Sequence, residues 1–246
     1  MQKNRLLISI LFNCVVAYFL TLIIHNYAHS IAAYCYGLNT APWLIDNNTP
    51  LWLQNVYENH EYMDLDQQAF FFAIGIIGFI SYATNWILLL FCLFKLVKLQ
   101  TRWLNFFYWM VIWNLTAVFS YIPHHIIRSG NVDLIFSQLG ISVWIIYVIG
   151  VIFSIFLILL LFYYLIPQVF DRLEINDLFL RRLYFTICLF IVLFYSSLRF
   201  VFVGDEPLTS YIYGNNIAHI VFWIKLAMFI GICYTQPDLR KRKFYR

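Results

Sequence analysis

Charged side chains are scarce in this sequence, at 11% of its 246 residues. A soluble domain gives about a quarter of its residues to charge, so this chain has too little polar surface to be solvated as a globule. Hydrophobic residues make up 63% of the chain and aromatic residues 21%. In lipid every backbone N–H and C=O group must be paired within the protein, which makes long apolar runs helical. The composition therefore predicts an all-α membrane protein.

Several familiar motifs are missing as well. The five cysteines form no CxxC pair, which favours buried free thiols. There is no GxSxG elbow, P-loop or dinucleotide fingerprint, and no internal repeat or linker that would mark a domain boundary. Much of the net charge of +4 lies in the basic tail at residues 240–246, which is typical of a segment that meets anionic lipid rather than nucleic acid. We expect one transmembrane domain over residues 1–246, with membrane lipid as a partner and no nucleic acid.

Six apolar runs are long enough to be considered as membrane spans, since crossing the hydrocarbon takes about 20 apolar residues. Lysine and arginine cluster at the N-terminus, between the second and third runs, between the fourth and fifth, and after the sixth. The connections after the first, third and fifth runs contain one basic residue, Arg128. The positive-inside rule then places both termini in the cytoplasm. We predict a polytopic bundle of about six transmembrane helices in a bacterial inner membrane, over residues 6–36, 70–97, 103–122, 141–166, 183–203 and 217–234.

One charge lies deep inside a predicted span. Lys225 is eight residues into the sixth run, a depth of about 12 Å along a helix. A charge at that depth must face the bundle interior or a wet cavity. Two interpretations stay open: a functional residue, or a structural pairing with a backbone carbonyl or a polar neighbour.

On this topology all six histidines lie at or near the extracytoplasmic face. His25 is nineteen residues beyond Leu6, or about 28 Å along the first helix, and His29 is one turn further. Because they are four residues apart, both rings project from one side of the helix, which suits two ligands of one metal ion. The alternative is that amphipathic histidines simply collect at the interface. The other four are His60, His124, His125 and His219.

Three segments carry a resemblance to a known family. Residues 25–37 read HNYAHSIAAYCYG and resemble the active-site helix of site-2 proteases, intramembrane zinc metalloproteases whose HExxH motif precedes small residues and a glycine. Residues 81–85, SYATN, are similar to the family's GPxxN segment. Residues 113–115, WNL, are similar to the asparagine-leucine pair before its metal-binding aspartate. The resemblance covers about residues 20–135 and implies a metalloprotease-like three-helix core over residues 6–135, with three additional helices over residues 136–246.

The resemblance also implies a zinc site near the extracytoplasmic face. Its ligands would be His25, His29 and Asp133. Asn131 is a rival for the third position, although an amide brings no charge to the metal. The other rivals for that position are His124 and His125.

Asn26 is the largest departure from the family's pattern. It occupies the general-base position, where the family has the glutamate that takes a proton from zinc-bound water. Asparagine has no titrating group, so the implied peptidase activity is impaired or lost. A carboxylate of the first outer connection would have to replace it, and the candidates are Glu58, Glu61 and Asp64.

Two asparagines support the same helical arrangement independently of the motif. Asn85 in the second run and Asn114 in the third lie at similar depths, on helices predicted to be adjacent and antiparallel. An unpaired amide in hydrocarbon is costly, so each needs a partner, and we predict that they pair with each other. That contact would be one of packing rather than catalysis.

These observations favour a site-2-protease-like membrane protein that holds zinc and binds a transmembrane segment of another protein without efficient cleavage. Two alternatives remain. The chain would be a divalent-metal transporter or metal chaperone that uses its outer-face histidines, or a metal-free structural membrane subunit. The inner half of the bundle offers no second set of ligands, and the charge of Lys225 would repel a cation.

Overall fold

The computed structural model describes residues 2–37, 41–43, 67–98, 101–127, 139–203 and 216–235. Within these ranges the chain forms six helices and no strand. They are α1 (Gln2–Cys35), α2 (Gln67–Lys98), α3 (Thr101–Ile127), α4, α5 (Leu178–Val203) and α6 (Asn216–Tyr234). Helix α4 begins as Val143–Leu160, widens into a π-helical segment at Leu161–Leu165 and continues as Ile166–Arg172. The predicted all-α class is confirmed.

Four of these helices are long and apolar enough to cross a membrane, through Ile8–Cys35, Gly75–Leu96, Val148–Arg172 and Leu178–Tyr195. The two remaining helices, α3 and α6, contain the shorter apolar segments Trp103–Phe119 and Phe222–Tyr234. Large apolar side chains face outward along α1 and α4, among them Ile8, Phe12, Phe19, Ile149 and Ile152. Helices with this length and surface indicate an integral membrane protein.

Helix α3 is the centre of the bundle, because it packs against each of the other five helices. Its buried side chains include Leu104, Tyr108, Ile112, Leu115 and Val118. Helix α1 lies against both α2 and α3. One face of α1 therefore packs against two helices, and His25 and His29 lie on this face.

The π-helical segment of α4 precedes Pro167. Proline lacks a backbone N–H, and within a regular helix its ring clashes with the carbonyl four residues earlier. A π-helical turn changes the local hydrogen-bond register and so accommodates the proline. The helix therefore runs on to Arg172, beyond the predicted end at residue 166.

The corner between α4 and α5 is closed by backbone and side-chain contacts. The N–H of Ile175 donates to the carbonyl of Phe170 at 3.1 Å, and that of Glu174 to Asp171 at 3.2 Å. This Schellman arrangement holds Glu174 at φ 55°. The guanidinium of Arg181, 2% exposed, meets the Asp171 carboxylate at 2.6 Å and also donates to the carbonyl of Ile175.

Candidate metal site

His25 and His29 stand side by side on α1. Their ring centroids are 4.8 Å apart and their planes meet at 83°. His29 is buried, while His25 is half-buried. The two imidazoles thus occupy one face of the helix at the depth where α1 meets α2.

The environment of His29 is apolar and closed. Its ring interacts with the backbone of Ile77 on α2, and Ala32, Ala33 and Ile77 form a small buried cluster beside it. The Nδ1 atom of His29 is buried and has no hydrogen-bond partner. An unpaired buried polar atom costs about 1–3 kcal/mol, and an imidazole nitrogen of this kind is chemically suited to bind a metal ion.

A side-chain amide on α2 contacts His25. The Nδ1 atom of this histidine lies 2.8 Å from Nδ2 of Asn85, a residue that is 1% exposed. The other amide atom, Asn85 Oδ1, is buried without a hydrogen-bond partner. Asn85 therefore fixes the orientation of the His25 ring from the neighbouring helix, as the outer partners of metal-binding histidines do.

Asn85 and Asn114 do not bind each other, so the predicted pairing was wrong. The amide of Asn114 donates to Thr21 Oγ1 at 3.3 Å and to the carbonyl of Met110 at 2.7 Å. Both asparagines turn toward α1, because α1 packs against α2 and α3 together and offers them His25 and Thr21. The prediction compared depths on α2 and α3 and left out this third helix.

A polar face along α1 was not identified from the sequence. The carbonyls of Ser9 and Cys14 accept hydrogen bonds from Asn105 (3.2 Å) and Trp113 (3.0 Å), and the hydroxyls of Tyr18 and Tyr195 are 2.7 Å apart. Polar side chains follow one another at steps of three or four residues, the spacing of one helix face. That spacing was the available signal, and the residues are Cys14, Tyr18, Thr21, His25 and His29.

The predicted third ligand lies among residues that the structure does not describe. Asp133 and its rival Asn131 lie outside the described ranges, as do the carboxylates Glu58, Glu61 and Asp64. His124 and His125 belong to α3, but their side chains are likewise outside the description. Within the described residues no group of three histidine, cysteine or acidic side chains is assembled. The structure thus brings together two of the three predicted ligands.

Two further predicted residues are placed by the structure. Asn26 is half-buried on α1, one residue beyond His25. Lys225 is buried at 2% exposure, and its Nζ atom lies 5.8 Å from the ring centroid of Phe119 on α3. A cation over an aromatic face is a stabilising contact, so at least one partner of Lys225 is structural.

Comparison with protein-family models, curated proteins and solved structures finds no match to this chain. The resemblance to site-2 proteases therefore depends on the three motif segments.

Proposed function

We propose that this protein is a six-span membrane protein that binds zinc at the outer end of α1 and lacks the ordinary peptidase activity of the site-2 proteases it resembles. The observation that carries the proposal is the His25–His29 pair, with rings 4.8 Å apart and a buried, unpartnered Nδ1 atom on His29. Neutral imidazole nitrogens are common zinc ligands. Asp133 is the proposed third ligand, supplied from beyond α3.

The residues of α1 also explain why cleavage is not expected. Bound zinc would polarise a carbonyl or a water molecule at this position. In this chain the neighbouring Asn26 can orient such a group by hydrogen bonding, but it cannot accept the proton that peptide hydrolysis requires. We therefore propose that the protein binds a transmembrane segment of a partner protein beside α1 and releases it intact.

The proposal includes the orientation in the membrane. Both termini are placed in the cytoplasm of a bacterial cell, with the connection between α1 and α2 on the outer side. What supports this is the distribution of lysine and arginine over alternate connections. His25 and His29 then face the extracytoplasmic side, where metal and a partner's membrane segment are both accessible.

Metal content tests the site directly. Detergent-purified protein is compared with His25→Ala, His29→Ala and the control His219→Ala by elemental mass spectrometry. We expect near-stoichiometric zinc in the parent and in the control, and its loss in both site variants, because each of these removes one of the three proposed ligands.

Other results would change the assignment. No zinc in any of the four proteins would remove the metalloprotein and favour a metal-free structural subunit. Loss of zinc in the control as well would point to histidines spread over the outer face, as in the transporter alternative. In that case flux of a divalent metal into proteoliposomes would be the next measurement.

A further inference from the structure

The contact between His25 and Asn85 can be made in two ways, and they differ in where the imidazole proton lies. With Nδ2 of the amide facing Nδ1 of His25 at 2.8 Å, the amide donates, so Nδ1 is unprotonated and the proton is on Nε2. With the amide turned over, Nδ1–H donates to Oδ1 and the lone pair is on Nε2. Only the second form leaves Nε2 able to coordinate a metal ion.

The burial of Asn85 keeps the preference between these two forms small, because neither form satisfies the whole amide. In the orientation that the structure shows, Oδ1 is buried without a partner. Turning the amide over pairs Oδ1 with the histidine and moves the unpaired position to the amide nitrogen. Each form leaves one side of the amide without a partner, so a metal ion bound at Nε2 can reverse the preference for the orientation that the structure shows.

We infer that Asn85 is a positioning residue that sets the tautomer of His25 and turns its amide over when His25 binds a metal ion. The role in metal binding rests on the proposed function, whereas the choice of tautomer does not. Outer partners of metal-binding histidines change affinity by about 10- to 100-fold. Because Asn85 belongs to α2, the geometry of the site also depends on how α2 packs against α1.

Asn85→Asp tests the inference because it keeps the shape of the side chain and removes its donor. Ring-nitrogen NMR shifts are measured on metal-free protein labelled with ¹⁵N-histidine, and His25→Ala identifies the His25 signals. We expect protonated Nε2 and unprotonated Nδ1 in the parent, and a proton on Nδ1 in Asn85→Asp. The matched control is Asn114→Asp, which alters a buried amide that binds Thr21 instead and should leave His25 unchanged.

Asn85→Leu provides a second variant that puts no charge into the bundle. Without the amide, His25 should populate both tautomers, and zinc binding should weaken about 10-fold, while Asn85→Asp should tighten it by a similar factor. The same protonation of Nδ1 in the parent, Asn85→Asp and Asn85→Leu would overturn the inference. A shift of tautomer in protein that binds no zinc would support the role of Asn85 and overturn the proposed function alone.

Discussion

At the scale of single residues, the proposed loss of peptidase activity depends on Asn26. It lies on the same helix turn as His25, where a carboxylate would act as general base toward a metal-bound water. Asparagine is one methylene shorter than the family's glutamate and keeps hydrogen bonding but not proton transfer. In the proposed function this side chain therefore decides between binding and cleavage.

Asn26→Glu should create peptidase activity in the zinc-loaded protein. A positioned general base contributes about 10²–10⁴-fold to such a reaction, so cleavage should exceed the parent's by about two orders of magnitude. A panel of membrane-spanning peptides, with products detected by mass spectrometry, measures this. Asn26→Gln is the matched control, and we expect it to stay inactive. A parent protein that cleaves the panel and stops when a chelator is added would contradict the proposal.

The pairing of His25 with His29 was predictable, whereas their partners were not. Residues four apart on a helix are neighbours whatever the rest of the chain does, so the shared face followed from spacing alone. The contacts to Asn85 and Ile77 depend on which helix lies beside α1 and at what rotation. Spacing within one helix carries no information on either, and this is why Asn85 was assigned the wrong partner.

At the scale of helices, the corner between α4 and α5 depends on one buried ion pair. Arg181 is 2% exposed and Asp171 is 15% exposed, so their charges are largely withdrawn from solvent. A buried charge that loses its partner is strongly destabilising, while replacing both partners with apolar side chains is often neutral. The pair thus fixes the angle at which α5 leaves α4.

Asp171→Ala should lower the free energy of unfolding by about 3 kcal/mol, because it leaves the guanidinium of Arg181 buried without its carboxylate. The double variant Asp171→Leu/Arg181→Met should recover most of that loss. Unfolding in mixed micelles measures both. Arg182→Met, which removes an exposed charge next to Arg181, is the control and should change stability by less than about 0.5 kcal/mol. Equal losses in Asp171→Ala and Arg182→Met would contradict this role.

Helix boundaries show where apolar patterning stops being informative. The six predicted runs correspond one to one with α1–α6, but three boundaries differ by five or six residues. Helix α3 continues past Pro123 to Ile127, and α4 accommodates Pro167 with a π-helical segment. Helix α5 begins at Leu178 rather than residue 183, because Asp177 Oδ1 accepts the backbone N–H of Phe179 at 2.9 Å. A cap and a widened turn are local contacts that hydropathy does not record.

At the scale of the whole molecule, the fold class was predictable from composition, but the central position of α3 was not. Low charge and long apolar runs require helices in lipid. The order of packing depends instead on where small and polar side chains allow close contact. The contacts of Asn105, Trp113 and Asn114 with α1 show how α3 achieves this.

Cys35 offers a test of the proposed orientation, since it is an exposed thiol at the end of α1. A membrane-impermeant maleimide should label it in intact spheroplasts, and Cys35→Ser should abolish that labelling. Cys14→Ser is the control, because Cys14 is half-buried within the bundle and should not contribute. Labelling of Cys35 only in inside-out vesicles would reverse the topology and place the candidate site in the cytoplasm.

The length of α1 makes the candidate site sensitive to the lipid around it. The apolar part of the helix, Ile8–Cys35, has 28 residues and measures about 42 Å, whereas the hydrocarbon layer is about 30 Å thick. The excess of about 12 Å must be taken up by tilt or by projection into the headgroups. His25 and His29 lie in the second half of this segment, so long-chain lipids would cover them and short-chain lipids would hydrate them. The length of the lipid acyl chains would then control how much water reaches the two histidines.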